Sequence, residues 1–184
     1  DLSLMSHPKF VEGARCLQDA GLSLDFWIYH TQLSEMEKIA RTLPELSIIL
    51  NHIGGPIHLG EYEGKQALTH REWRKAMMRL SRLPNIKVKL GGLGMEVNGA
   101  KFHLNQNPPN SSQLADIWKS WIYETIDMFG VERCMFESNF PVDKGSCSYG
   151  SLWNAFKIIS ENMSHNEKNK LFYENAAKTY KIKL

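Results

Sequence analysis

Leu46-Ser-Ile-Ile-Leu-Asn-His-Ile-Gly-Gly-Pro56 decides how this sequence folds. The apolar run is too short for a helix. It stops at Asn51-His52, and Gly54-Gly55-Pro56 then turns the chain sharply. Three other segments share the look: Leu22-Ser-Leu-Asp-Phe-Trp-Ile-Tyr-His30, Ile86-Lys-Val-Lys-Leu-Gly-Gly92 and Arg133-Cys-Met-Phe-Glu-Ser-Asn139. Each loses the period-2 alternation, ends in polar or glycine residues, and is followed by a helix-length stretch. Buried parallel strands read this way when helices cover both of their faces. In such proteins ligands bind at the C-terminal ends of the strands, where the polar residues of all four runs gather.

Working outward, the pattern predicts helices between the strands. Pro8 to Ala20 places Phe10, Val11, Ala14 and Leu17 at helical spacing before Gly21. Residues 32–43 carry Leu33, Met36, Ile39, Ala40 and Leu43 on one stripe that ends before Pro44. Further helices are predicted over about 70–82, from a cap at Ser111 or Ser112 to Phe129, over 149–161 and over 165–180. The long stretch 94–110 has no such pattern and reads as a functional or mobile loop. The order α-βα-βα-βα-βα-α requires right-handed crossovers, hence a doubly wound sheet or a barrel. No GxGxxG lies between a strand and a helix, no Walker A sequence occurs, and Gly91-Gly-Leu-Gly94 is too loose a match to count. Four βα units are half of a (β/α)8 barrel.

The bulk composition excludes several classes. With 42% hydrophobic and 23% charged residues the chain is ordinary globular material, and a net charge of +2 suggests neither nucleic acid nor a membrane surface as partner. Arg71, Arg74, Lys75, Arg79 and Arg82 fall along one predicted helix and read as its solvated face. Three widely spaced cysteines, Cys16, Cys134 and Cys147, fit a reduced cytoplasmic setting better than a disulfide framework. There is no apolar run of about 18 residues and no signal-peptide pattern. The chain begins at Asp1, already entering a predicted helix and without an initiator methionine, so the expectation is a piece of a longer protein.

The strand ends hold the candidate chemistry. His52 could ligate a metal, transfer a proton or polarise a carbonyl, or simply bond to backbone beside the turn. His30 ends the first strand, where it could line a pocket, whereas His7, His58, His70, His103 and His165 read as surface positions. Around the bend Glu137-Ser-Asn-Phe-Pro-Val-Asp143, period 2 places Glu137 and Asn139 on one face with Met135. Glu137 is then either a general base or an ion-pair partner of Lys89, one strand over. Lys87 and Lys89 share a face, and Lys89 could alternatively bind an anionic group. No GxSxG elbow or HExxH motif is present.

In order, Leu24-Asp-Phe-Trp-Ile-Tyr-His-Thr-Gln-Leu33, Asn51-His-Ile-Gly-Gly-Pro56, Lys89-Leu-Gly-Gly-Leu93, Arg133-Cys-Met-Phe-Glu-Ser-Asn-Phe-Pro-Val142 and Asn175-Ala-Ala-Lys-Thr-Tyr180 resemble the amidohydrolase-related family, specifically its lactonase-like branch. The resemblance implies an α/β fold, a partial TIM barrel comprising about the last four βα units, with residues 1–184 forming the C-terminal part of one domain. It implies a missing N-terminal half whose first strand carries a His-x-His pair. It makes His52 the histidine of barrel strand six, a catalytic group or metal ligand. Asn139 stands where the family usually has an aspartate acting as general base, and an amide cannot take that proton. Glu137, Asp143 or His52 would replace it, while His30, Gln32 and Lys89 would contact substrate. The implied cofactor is a divalent zinc or manganese ion, or none. The expected activity is hydrolysis of a small cyclic or carboxylated metabolite, foremost a lactone, with residues 1–184 inactive by themselves. A decarboxylase of the same fold and a catalytically silent half-barrel serving as a binding piece are the alternatives.

Overall fold

All four apolar runs become strands of one parallel sheet in the computed structural model, which describes residues 4–183. The strands are β1 (Ser23–Phe26), β2 (Ser47–Leu50), β3 (Ile86–Leu90) and β4 (Cys134–Phe136), paired in sequential order β1-β2-β3-β4. Each is shorter than the run quoted for it, and β1 stops at Phe26, before Trp27 and Ile28. Helices α1 (Pro8–Asp19), α2 (Leu33–Thr42), α3 (Gln66–Leu80), α4 (Ser111–Phe129) and α5 (Tyr149–Ile159) separate and follow them. Asp1–Ser3, where the sequence was read as entering a helix, and Leu184 lie outside the described residues. From Leu4 to Ser6 the chain forms a 3-10 turn.

The register sets Phe26, Leu50, Val88 and Cys134 side by side, and Asp25, Ile49 and Lys87 on the opposite face. The first set joins Leu33, Met36, Trp73, Met77, Trp118, Ile122 and Phe156 in the main core, whereas Ile49 and Met135 lie outside it. Helices therefore pack on one face, which corrects the expectation of cover on both. The other face carries Asp25, Lys87, Lys89 and Glu137 among its apolar residues. A sheet with one helical face and one charged, concave face is what part of a barrel wall looks like.

Local chemistry sets the helix ends. Helix α4 is capped by Asn110, not by Ser111 or Ser112: its side chain accepts from the Gln113 N–H while Gln113 reaches back to the Asn110 N–H, closing a capping box. The last predicted helix is α6 (His165–Asn169) and α7 (Asn175–Thr179) joined through a π turn at Lys170–Glu174. The π turn lies beside β4. Just beyond it, the Asn175 amide donates to the carbonyls of Val131 and Cys134, both at 2.7 Å. On the flank, Arg79 pairs with Glu37 and Arg74 with Glu124, as expected of a solvated basic face. His70 lies on the surface as its sequence suggested, its side chain 41% exposed. It bonds Glu124 at 2.8 Å and packs on Trp121, as His58 does.

Candidate functional site

Beyond Leu50 the backbone leaves extended conformation and enters the left-handed region at His52 (φ 53°) and Ile53 (φ 49°). For a β-branched residue this is a genuine outlier. Packing sustains it: Ile53 is fully buried and its carbonyl accepts the Trp73 indole N–H at 2.7 Å. The turn rolls the His52 ring over the end of the sheet toward β4. There Glu137, one residue past that strand, meets it: Oε1 accepts the His52 backbone N–H at 3.0 Å and lies 2.5 Å from Nδ1. One carboxylate oxygen thus faces both nitrogens, and with Nδ1 donating to it a neutral ring keeps its lone pair on Nε2. The His52 and Glu137 side chains are 11% and 15% exposed, too little for solvent to screen the pair away.

The loop after β3 makes room for that pair. A Cβ at Gly91 would run into the Glu137 carbonyl and Cγ, and one at Gly92 (φ 66°) would lie 2.5 Å from Cγ and Nδ1 of His52. One at Gly94 would lie 3.1 Å from the Asp143 carboxyl. Gly91-Gly-Leu-Gly94, unconvincing as a phosphate loop, is a cradle in which each glycine faces one site side chain. Asn98 holds it from the far side, donating to the Gly92 carbonyl at 2.6 Å.

Asn139 (φ 52°) is the third strand-end residue in left-handed conformation, followed by a cis Phe140–Pro141 peptide. Its Nδ2 donates to Asp143 Oδ1 at 3.0 Å, which turns the amide oxygen away from the carboxyl as an acceptor. Asp143 is buried, and Oδ2 has no hydrogen bond. Burial pushes its carboxyl up to about 6. The Asn139 hydrogen bond, the Gly94 backbone and the nearby His52 oppose the rise, and Glu137 adds to it. Asp143 is closed to solvent and holds Asn139 in place.

Of the remaining sequence candidates, Lys89 reaches Asp25 at 2.7 Å and lies 4.0 Å from Glu137 Oε2. Burial alone would lower its ammonium, but the hydrogen bonds to Asp25 and Tyr180 and the charges of Asp25 and Glu137 leave it raised. Gln32 turns its Oε1 back to accept the Tyr29 N–H at 3.1 Å, and lines a groove beside Trp27 and Asp25. His30 points into the fold. Its side chain is fully buried, Nδ1 accepts the Ile57 N–H at 3.2 Å, and Nε2 lies 3.8 Å from Glu72. It braces the loop that carries His52 and does not join the cluster. Trp27 does join it and was missed as a candidate: the indole is 42% exposed and meets the His52 ring edge-on at 4.5 Å. A tryptophan near the polar end of the first apolar run was the available signal, although its direction was not readable.

These residues do not make a divalent-metal centre by themselves. Among the described residues no three His, Cys, Asp or Glu side chains converge on one ion position, and Glu137 is already committed to His52. Nε2 of His52 is the atom of the pair left to join donors from elsewhere. Also among the described residues, no helix is long and apolar enough to cross a membrane.

A family model described as amidohydrolase matches residues 5–182. The uncharacterized protein y4mH of Sinorhizobium fredii is 38% identical over 179 residues, 95% of this chain and 52% of that protein. L-fucono-1,5-lactonase of Burkholderia multivorans is 26% identical across 94% of this chain and 56% of its own length. The chain thus spans about half the length of these relatives. Among solved structures, an amidohydrolase from Burkholderia multivorans with bound zinc superposes with a TM-score of 0.84 at 22% identity, covering 99% of this chain and 60% of that one. At that identity the likeness speaks for the fold alone.

Proposed function

This chain belongs to the amidohydrolase family, its sheet is part of a TIM barrel, and we propose that it supplies the general base of a hydrolase opening a small cyclic ester, a lactone. The observation that carries this reading is the 2.5 Å contact between Glu137 Oε1 and His52 Nδ1, which leaves Nε2 as the free proton acceptor at the strand ends. Similarity to L-fucono-1,5-lactonase supports the choice of bond.

His52 Nε2 takes a proton from water as the water oxygen bonds to the carbonyl carbon. Glu137 holds the ring and offsets the imidazolium charge that forms. When the ring C–O bond breaks, the same proton passes to the departing alkoxide, so a hydroxy acid leaves and His52 is neutral again. The amide oxygen of Asn139, fixed by Asp143, accepts from the water or from a substrate hydroxyl. Trp27 offers an apolar wall to the substrate ring.

The test uses the complete gene product on a panel of lactones, with acid release followed continuously. His52→Ala and His52→Gln should each lower kcat/KM about 100-fold or more, the usual contribution of a general base. Undiminished turnover in both would remove His52 from the mechanism.

A further inference from the structure

The concave face of the sheet carries a string of charged and polar groups that hydrolysis at His52 does not directly use. Tyr180, just after α7, donates its hydroxyl to Asp25 Oδ2 at 2.8 Å, joining residues 155 positions apart in sequence. The same carboxylate oxygen holds Lys89 Nζ at 2.7 Å, and the ammonium sits 5.4 Å from the centre of the Tyr180 ring. Beyond Lys89 lies Glu137 Oε2 at 4.0 Å, and Glu137 Oε1 grips His52. We propose that Lys89, held by Asp25 and Tyr180, is a positioning residue that fixes Glu137 and through it the proton-on-Nδ1 form of His52.

The geometry favours this role over substrate contact. Lys89 is surrounded by two carboxylates and a phenol ring, and its side chain is 19% exposed, so its charge is already spoken for. Glu137 is held at one oxygen by two His52 donors, and the ammonium stands 4.0 Å from the other. Without Lys89, Asp25 and Glu137 would be two carboxylates on one face with no cation between them, and Glu137 would be free to turn away from His52. A Glu137 that has turned away no longer accepts from Nδ1, so the imidazole proton is free to sit on Nε2 and close the lone pair that hydrolysis needs. Tyr180 matters because its hydroxyl and ring hold the Asp25–Lys89 end of the string. The catalytic consequence rests on the hydrolytic reading of His52, whereas the effect on the ring does not.

The experiment has two arms. In the first, long-range proton–nitrogen spectra of the 15N-labelled chain at pH 8 report which His52 nitrogen carries the proton. Wild type and Lys89→Arg should show it on Nδ1. Lys89→Met should show a mixture with Nε2, and Tyr180→Phe, which deletes only a hydroxyl, a smaller change in the same direction. In the second arm, the complete gene product is assayed on the lactone it turns over. Lys89→Met should lower kcat about tenfold to 100-fold with KM within about twofold, and Lys89→Arg should restore most of it. Tyr180→Phe should cost about threefold in kcat. An unchanged ring in both Lys89→Met and Tyr180→Phe overturns the proposal, as does a raised KM with intact kcat. Should the wild type turn over no lactone, the hydrolytic reading falls and the ring spectra decide the positioning role alone.

Discussion

Asp143 couples the site to pH through its burial. Its carboxyl is raised to about 6 in the folded protein, whereas in the unfolded chain it returns to the usual carboxylate range. Between about pH 4 and 6 the folded state therefore binds the proton more tightly, and stability falls as pH climbs through that window. The penalty is absent below pH 4 and complete above 6, where it amounts to at most about 3 kcal/mol. Asp143→Asn keeps an oxygen for the Asn139 amide and removes the charge. Its melting temperature should exceed that of the wild type at pH 8 and match it at pH 4, measured by thermal unfolding, and an equal gain at both pH values would refute the linkage. At this scale the sequence was readable in part. His52, Glu137, Asn139 and Asp143 stand out as polar groups following apolar runs, and the structure gathers them. The directions of His30 and Trp27 were not readable, because alternation ends with β1 at Phe26 and the onward course is set by the His30 N–H bonding the Gly55 carbonyl across the sheet end. No local pattern announces that a histidine and an isoleucine adopt positive φ, since a distant tryptophan helps to hold the turn there.

The elements were legible where hydrophobic period governs them, and less so where side-chain hydrogen bonds do. Helix α2 follows from its apolar spacing and the four strands from their short apolar runs, whereas α4 was legible from a cap and a glycine stop, and its capping box at Asn110 was masked by the two serines after it. The loop Gly91-Gly-Leu-Gly94 was the largest omission, because its purpose appears only when β4 brings Glu137 and Asp143 alongside. A methyl group at Gly92 tests that purpose. It adds strain at φ 66° and places Cβ 2.5 Å from the His52 ring, so Gly92→Ala should cost about 2–4 kcal/mol and at least about tenfold in lactone turnover. Gly60→Ala is the control. Its φ is 58° and nothing lies within 4 Å of the added carbon, so it should cost about 1 kcal/mol and leave turnover intact. Denaturant unfolding and initial rates measure both. Equal losses in the two variants would mean that backbone strain, not displacement of His52, is what matters.

The whole molecule is a sheet whose two outer strands lack a strand partner among the described residues. On β1 the Phe26 carbonyl bonds toward β2, so alternate residues Ser23 and Asp25 turn their backbone groups to the open side. On β4 the Glu137 N–H bonds toward β3, leaving Cys134 and Phe136 outward, and Asn175 covers the Cys134 carbonyl. The two edges are therefore unequal, with β1 the less protected. Exposed edges pair with whatever strand is available, and residues 1–184 produced by themselves meet only copies of themselves. Sedimentation velocity should show a weight-average mass that climbs above 21.1 kDa as concentration rises through the micromolar range. Ser23→Pro removes one outward N–H at the first residue of β1, a position where proline is tolerated, and should weaken that association without unfolding the chain. A concentration-independent mass of one chain for the wild type would mean that the β1 edge is shielded within the monomer, with the Tyr180 and Lys181 contacts to Asp25 and Gly21 the nearest groups to do it.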